Sequence, residues 1–257
     1  MRAVGRALSI LKLLTEQEDL NLAAISRQIG LPQSTAFRLL VTLAGAGFVE
    51  QPSNGSGYRL GVECLALGDA FLRTSDLRQA AEDHLANLRD HCGETVHLAI
   101  LEGWEVVYLL KLPGLHPIGL MSSRAGGRAP AYCTGLGKAM LAFVEPETGL
   151  PPSLKKTKLK RFTRRTLTDW RRLEIELRET RKRGYSMDNE EHEEGVACVA
   201  AAVFDHEGMA AAISASGPVA RIRDQMKEAD LADAVVRTAG EITSSLGGVV
   251  GRSGTLG

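Results

Sequence analysis

The chain has 257 residues, enough for two compact domains, and its 44% hydrophobic content is ordinary for a globular protein. Its 31 Lys and Arg balance 31 Asp and Glu; a formal net charge of zero excludes bulk attraction to a polyanion or membrane and confines any nucleic-acid contact to a local patch. No run approaches the roughly 18 apolar residues of a membrane span, no secretion signal opens the chain, and the cysteines (Cys64, Cys92, Cys133, Cys198) form no CxxC pair, so the expectation is a reduced, cytoplasmic protein with no metal and no cofactor.

An amphipathic segment runs from Arg2 through Leu14. The next, Leu22 to Ile29, places Leu22, Ile25 and Ile29 on one helical face, with Asn21 as N-cap and Gly30 closing it. Leu31-Pro32 turns the chain, because the residue before proline is pushed out of the α region. The third segment, Gln33 to Leu43, buries Ala36, Leu39, Leu40 and Leu43 at i, i+3, i+4, i+7. Its other face carries Ser34, Thr35, Arg38 and Thr42, with Gln33 in the first turn, the arrangement with which a recognition helix meets the major groove. Phe48 to Gln51 and Tyr58 to Leu60 read as strands around an Asn54-Gly55 turn. Helix, helix, turn, helix, hairpin is the order of a winged helix-turn-helix; the alternative is a small module that binds protein. Residues 1–60 hold six Lys or Arg against four Asp or Glu, so phosphate affinity must come from placed cations (Arg2, Arg6, Arg27, Arg38, Arg59), helix N-termini and doubling by oligomerisation.

Residues 62–74 read as a connecting helix. Ser75 caps a long helix from Asp76 to Cys92, with Ala81, Leu85 and Leu88 among its inward residues. Past Gly93 the period becomes two: Val96, Leu98 and Ile100 alternate with His97, Ala99 and Leu101, and Glu105 to Leu112 returns as a second strand. Ile118 to Ser122 is a candidate third. Thr134 to Val144 and Asp169 to Lys182 read as helices, Cys198 to Phe204 and Met209 to Ser216 as a hairpin, and Arg223 to Leu246 as one final helix. The expected organisation is residues 1–61 as a DNA-binding domain, 62–74 as linker, 75–247 as an α+β domain on an antiparallel sheet, and 248–257 as a disordered tail.

Four stretches could carry chemistry. Gly135-Leu136-Gly137-Lys138 is not a phosphate loop, since Tyr132 and Ala139 stand where Gly and Ser/Thr are required; a helix start there could still meet an anion, or the glycines could serve packing alone. The acidic run Asp188 to Gly195 reads as a solvated loop with one end near the strand of Cys198. Asp188, His192 and Cys198 lack compact metal-ligand spacing. Ser214 and Ser216 share one strand face and would suit a carboxylate or carbonyl ligand, or simply end the strand. Lys155 to Arg165 packs seven cations into eleven residues and reads as a solvated loop.

Taken together, Arg6-Ala-Leu-Ser-Ile-Leu, Leu31-Pro-Gln-Ser-Thr-Ala-Phe-Arg-Leu-Leu40, Tyr58-Arg-Leu-Gly61, Gly93-Glu-Thr-Val-His-Leu-Ala99, Cys133-Thr-Gly-Leu-Gly-Lys-Ala139, Arg183-Gly-Tyr185, Cys198-Val-Ala-Ala201 and Ser214-Ala-Ser-Gly-Pro218 resemble the IclR family of bacterial transcriptional regulators over nearly the whole chain. The resemblance implies a winged-helix domain joined by a helix to a GAF-like effector domain, assembled as a homodimer or tetramer on palindromic operator DNA. It further implies a small organic acid or aromatic effector held by Gly135, Leu136, Asp188, Cys198, Ser214 and Ser216. Ala202, where many members have proline, and Arg164-Arg165, in place of Pro-Asn, depart from the family pattern. The reading is a ligand-responsive regulator, more readily a repressor, and not an enzyme. Its rivals are a hydrolase using Cys198 or a metal, and an architectural DNA-binding protein without a ligand.

Overall fold

A computed structural model describes residues 2–17, 19–52, 57–73, 75–116, 121–144, 158–228 and 230–249. The chain divides into two compact units, Met1–Ser75 and Asp76–Gly257.

Among its described residues the first unit has four helices and a small antiparallel sheet: α1 (Arg2–Glu16), β1 (Leu20–Asn21), α2 (Leu22–Gln28), α3 (Gln33–Gly45), β2 (Val49–Glu50), β3 (Gly57–Leu60) and α4 (Val62–Arg73). Asn21 caps α2 by accepting from the Ala24 N–H at 2.9 Å. Gly30 takes the left-handed conformation that ends the helix, φ +64°. Ser26 Oγ donates to the Leu31 carbonyl, tying down the turn into α3. Ile10, Leu14, Ile25, Leu40, Val49 and Tyr58 form the core. Central β3 pairs with β1 through Leu20↔Tyr58 and with β2 through Glu50↔Arg59; β1 was not foreseen. The Asn54-Gly55 turn lies outside the described residues.

The second unit is built on a six-stranded antiparallel sheet of order β6-β5-β4-β9-β8-β7. Its elements are α5 (Asp76–Cys92), β4 (Thr95–Glu102), β5 (Glu105–Leu112), β6 (Arg128–Pro130), α6 (Gly135–Leu141), α7 (Trp170–Arg183), β7 (Ser186–Asn189), β8 (Val196–Phe204), β9 (Met209–Pro218), α8 (Val219–Glu228) and α9 (Leu231–Ser245). One face, with Val96, Leu98, Val199, Ile213 and Ala215, packs on α5, α8 and α9. The other, with Ala99, Tyr108, Ala200 and Ala212, packs on α6 and α7. Both faces are covered, so the period-two pattern carries apolar residues on both sides.

Several sequence expectations are corrected. The single helix expected over Arg223 to Leu246 is two helices, because Asp230 takes φ +49°, a conformation no α-helix continues through. The helix expected from Thr134 to Val144 is shorter: Thr134 is its N-cap, accepting from Gly137 N, and Leu141 its last residue. Residues 118–120 of the candidate third strand lie outside the described residues, and Met121 and Ser122 are irregular; the strand beside β5 is instead β6. The acidic run is not a solvated loop at its start, since Asp188 sits in β7 and Asp188 and Glu191 are buried. Residues 155–157 of the basic stretch and 250–257 of the tail lie outside the described residues.

Candidate DNA interface and effector site

On α3, the buried Ala36 and Leu40 fix which face looks out. Gln33, Ser34, Arg38 and Thr42 are exposed and Thr35 is half-buried. Thr42 Oγ1 donates back to the Arg38 carbonyl at 3.0 Å, so its proton is engaged within the helix. Sequence reasoning missed Phe37 and Val41, which are 48% and 53% exposed between the polar residues. Positions 34, 37, 38 and 41 follow helical i, i+3, i+4, i+7 spacing, so the outward face mixes donors with two apolar groups able to meet thymine methyls. The signal was available: neither Phe37 nor Val41 falls on the apolar stripe of Ala36, Leu40 and Leu43. Arg59, on β3, pairs with Glu50 across the wing at 2.5 Å, with both side chains about half exposed. Such a pair is worth little and can exchange for a phosphate.

In the second unit the sheet register places most of the candidate effector residues together. Asp188 pairs with Cys198, Cys198 with Ser216 and Ser216 with Thr95, one row across β7-β8-β9-β4. Two residues along each strand, a second row runs Ser186, Ala200, Ser214, His97, Lys111 across to β5. Side chains two apart on a strand share a face, so both rows lie on the α6 side. Ser214 Oγ is 3.3 Å from Ser216 Oγ. Above them, α6 begins so close to the sheet that a Cβ on Gly135 would collide with Cys198 Sγ. Ser186 Oγ holds it there by donating to the Gly135 carbonyl at 2.6 Å. Gly135 and Leu136, in the first turn of α6, have N–H groups without a partner inside the helix.

The electrostatics favour neutral donors. Burial pushes the Cys198 thiol up to about 12, with the nearby Asp188 adding to the effect; such a group is a thiol rather than a nucleophilic thiolate. Burial likewise raises Asp188 to about 7, against the opposing hydrogen bond from the Glu191 N–H to its Oδ1 at 2.7 Å. Behind it, Lys138, 1% exposed, forms a buried ion pair with Glu191. Thr166 Oγ1 donates to the Glu191 carbonyl and Thr163 Oγ1 to the Glu190 carbonyl, each at 2.6 Å. The acidic run is thus folded inward and fastened from the segment before α7. The His192 ring lies 5.3 Å from that of Phe162. Chemically, two hydroxyls, a thiol and a carboxyl of raised pKa set among alanines can hold a small oxygen-bearing ligand.

Sequence reasoning also missed His97, Lys111, Lys138 and Glu191 as neighbours of this cluster. His97 lies two residues from Ala99, and only the β4–β9 register, His97↔Ser214, brings it to the serines.

The family model described as Bacterial transcriptional regulator IclR C-terminal matches residues 69–244, and that of the IclR helix-turn-helix domain matches residues 3–53. The HTH-type transcriptional regulator BhcR of Paracoccus denitrificans is 38% identical over 95% of this chain and 86% of its own length. The transcriptional repressor IclR of Escherichia coli K12 is 35% identical over 97% of this chain and 91% of its own. Among solved structures, an IclR homolog from Microbacterium hydrocarbonoxydans complexed with 4-hydroxybenzoate superposes with a TM-score of 0.80 at 26% identity, covering 95% of this chain and 98% of that one.

Proposed function

The chain belongs to the IclR family of bacterial transcriptional regulators, and on that premise we propose that it represses transcription from a palindromic operator and releases or rearranges on binding a small carboxylate or aromatic acid. The DNA is read by Gln33, Ser34, Thr35 and Arg38 with Thr42, and the wing residue Arg59 meets a phosphate. The acid is held by Ser214, Ser216, Cys198 and Asp188 beneath the Gly135-Leu136 turn. The observation that carries the effector half is the double row of Asp188, Cys198, Ser216 and Ser214, which sets two hydroxyls, a thiol and a carboxyl, all buried, against the first turn of a helix. A relative named as a repressor and a structural neighbour complexed with 4-hydroxybenzoate support the same reading. A homodimer or tetramer is supported by apolar residues left exposed in the first unit, Val4 and Leu8 on α1 and Val62, Leu65 and Phe71 on α4. A cavity of about 520 Å³ opens between α1 and the stretch from Leu60 to Cys64.

Thermal-shift screening of small acids, 4-hydroxybenzoate and acetate included, tests the effector half, because a ligand of the native state raises the melting temperature by mass action. On the DNA side, Arg38→Ala should cost roughly 1–3 kcal/mol of operator affinity if the guanidinium reads a base. An unchanged footprint from the folded variant would remove Arg38 from the interface.

A further inference from the structure

His97 is buried to 2% exposure beside the proposed effector residues. Each of its ring nitrogens meets a hydroxyl: Nδ1 is 3.3 Å from Ser214 Oγ and Nε2 is 2.9 Å from Ser123 Oγ. Burial and the adjacent Lys111 hold its pKa down to about 3, so the ring is neutral at physiological pH. A neutral imidazole has one donor nitrogen and one acceptor, and the tautomer therefore decides which way both hydroxyls point. With the proton on Nε2, the Ser214 O–H is consumed by Nδ1 and Ser214 can only accept from a ligand. With the proton on Nδ1, Ser214 accepts from His97 and its own O–H is free to donate.

Lys111 breaks the tie. Its Nζ donates to the Ser123 carbonyl at 2.6 Å and to that of Met121 at 3.4 Å. The ammonium is anchored on the same residue whose hydroxyl meets Nε2. A cation on that side favours a lone pair facing it over an N–H, which leaves the proton on Nδ1. The hydrogen bonds then run one way, Ser123 O–H to Nε2, Nδ1–H to Ser214 Oγ, and Ser214 O–H onward to Ser216 or to a ligand.

We propose that His97, held as the Nδ1–H tautomer between Ser123 and Ser214, is a positioning residue that sets the specificity of the effector site: it commits the Ser214 hydroxyl to donate, so that the site takes a ligand presenting bare oxygen, such as a carboxylate, and discriminates against one presenting N–H at that point. This rests on the effector reading given above, and the experiment has two arms so that the two can fail separately.

In the first arm, multiple-bond ¹H–¹⁵N correlation on the uniformly labelled full-length protein reads the tautomer directly, without any ligand. The expected result is a protonated Nδ1 and an unprotonated Nε2 for His97, unchanged between pH 5 and 8. A protonated Nε2, or a ring that titrates in that range, overturns the proposal. In the second arm, calorimetry compares matched pairs, 4-hydroxybenzoate with 4-hydroxybenzamide and acetate with acetamide. Wild type should prefer the carboxylate, and His97→Gln should weaken carboxylate binding roughly ten- to hundred-fold and shrink the preference. His97→Asn, whose amide can stand where Nδ1 does, should recover part of it. Ser214→Ala combined with His97→Gln should lose no more than Ser214→Ala alone, because the histidine acts through that hydroxyl. If Ser214→Ala weakens the acid but His97→Gln leaves affinity and preference intact, the proposal falls and the effector site stands. If wild type binds neither pair, the specificity claim falls with the effector reading for these acids, whatever the tautomer.

Discussion

Asp188 and His97 sit in adjacent rows of one sheet face, and burial disfavours the charged form of each, with opposite consequences for stability. Asp188 is raised from 3.8 to about 7, chiefly by burial. Between those values the unfolded chain releases a proton that the fold retains, so stability falls as pH rises and levels off above about 7. His97 is lowered from 6.5 to about 3, again chiefly by burial and then by Lys111. Between those values the unfolded chain takes up a proton that the fold refuses, so its contribution is lost as pH falls. Urea unfolding at several pH values should separate the two. Relative to wild type, Asp188→Asn should gain stability as pH is raised from 4 to 7, by up to about 4 kcal/mol. His97→Gln should show the reverse trend, gaining as pH is lowered from 6.5. Parallel profiles for wild type and Asp188→Asn would mean that the carboxyl is ionised in the fold. The raised pKa also bears on the site, because the protonated carboxyl offers a proton to an incoming carboxylate where the ionised form would repel it.

The connection between β9 and α8 shows how an element is held by one buried charge. Glu94, 1% exposed at the entry to β4, accepts two hydrogen bonds from Arg221 on α8, Nε to Oε1 at 2.6 Å and Nη2 to Oε2 at 2.7 Å. Gln225 adds a third at 3.3 Å. Gly217 lies against this carboxylate, where a Cβ would collide with Oε2. Removing the half-buried partner of a buried carboxylate leaves it under-compensated, so Arg221→Ala should cost about 1–3 kcal/mol, seen as a lower urea midpoint at unchanged slope. These residues belong to motifs visible in the sequence, Gly93-Glu94 and Ser216-Gly217-Pro218, although their pairing was not legible there. What could be read were elements whose burial follows a period: α2 with its Asn21 and Gly30 ends, α3, α5 and α7, and the β4–β5 and β8–β9 pairs. What could not be read were elements defined by tertiary contact. Strand β7, Ser186-Met187-Asp188-Asn189, has too few apolar residues to announce itself and is a strand because β8 offers a free edge. The break at Asp230 has neither glycine nor proline to mark it. Among the site residues, Ser214 and Ser216 were legible from spacing alone. Their meeting with Cys198, Asp188 and His97 depends on strand register, which a single sequence does not specify.

At the scale of the whole molecule, the two units carry different chemistry: an outward helix face in Met1–Ser75 and an inward polar corner in Asp76–Gly257. Residues 1–60 have an excess of only two cations, so one such module holds little phosphate affinity and operator binding should depend on assembly. Regulation then requires that the acid bind one arrangement of the assembly better than another, since a ligand with equal affinity for both shifts nothing. Ser214→Ala with Ser216→Ala should therefore weaken binding of an acid found in the thermal-shift screen by roughly ten- to hundred-fold, the usual loss for hydrogen bonds to a charged group. The same double variant should bind operator at wild-type affinity when no acid is present, because neither hydroxyl lies in the DNA-reading unit. Coupling is a free energy shared between the two sites. The variant should therefore need a proportionately higher acid concentration to change operator occupancy, and at saturation should reach the wild-type end point. Fluorescence anisotropy of labelled operator, titrated with the acid at several protein concentrations, measures all three quantities in one experiment. Wild-type acid affinity in the double variant would place the effector elsewhere in the fold. A loss of operator affinity without acid would instead make the serines part of the structure that positions the DNA-reading units in the assembly.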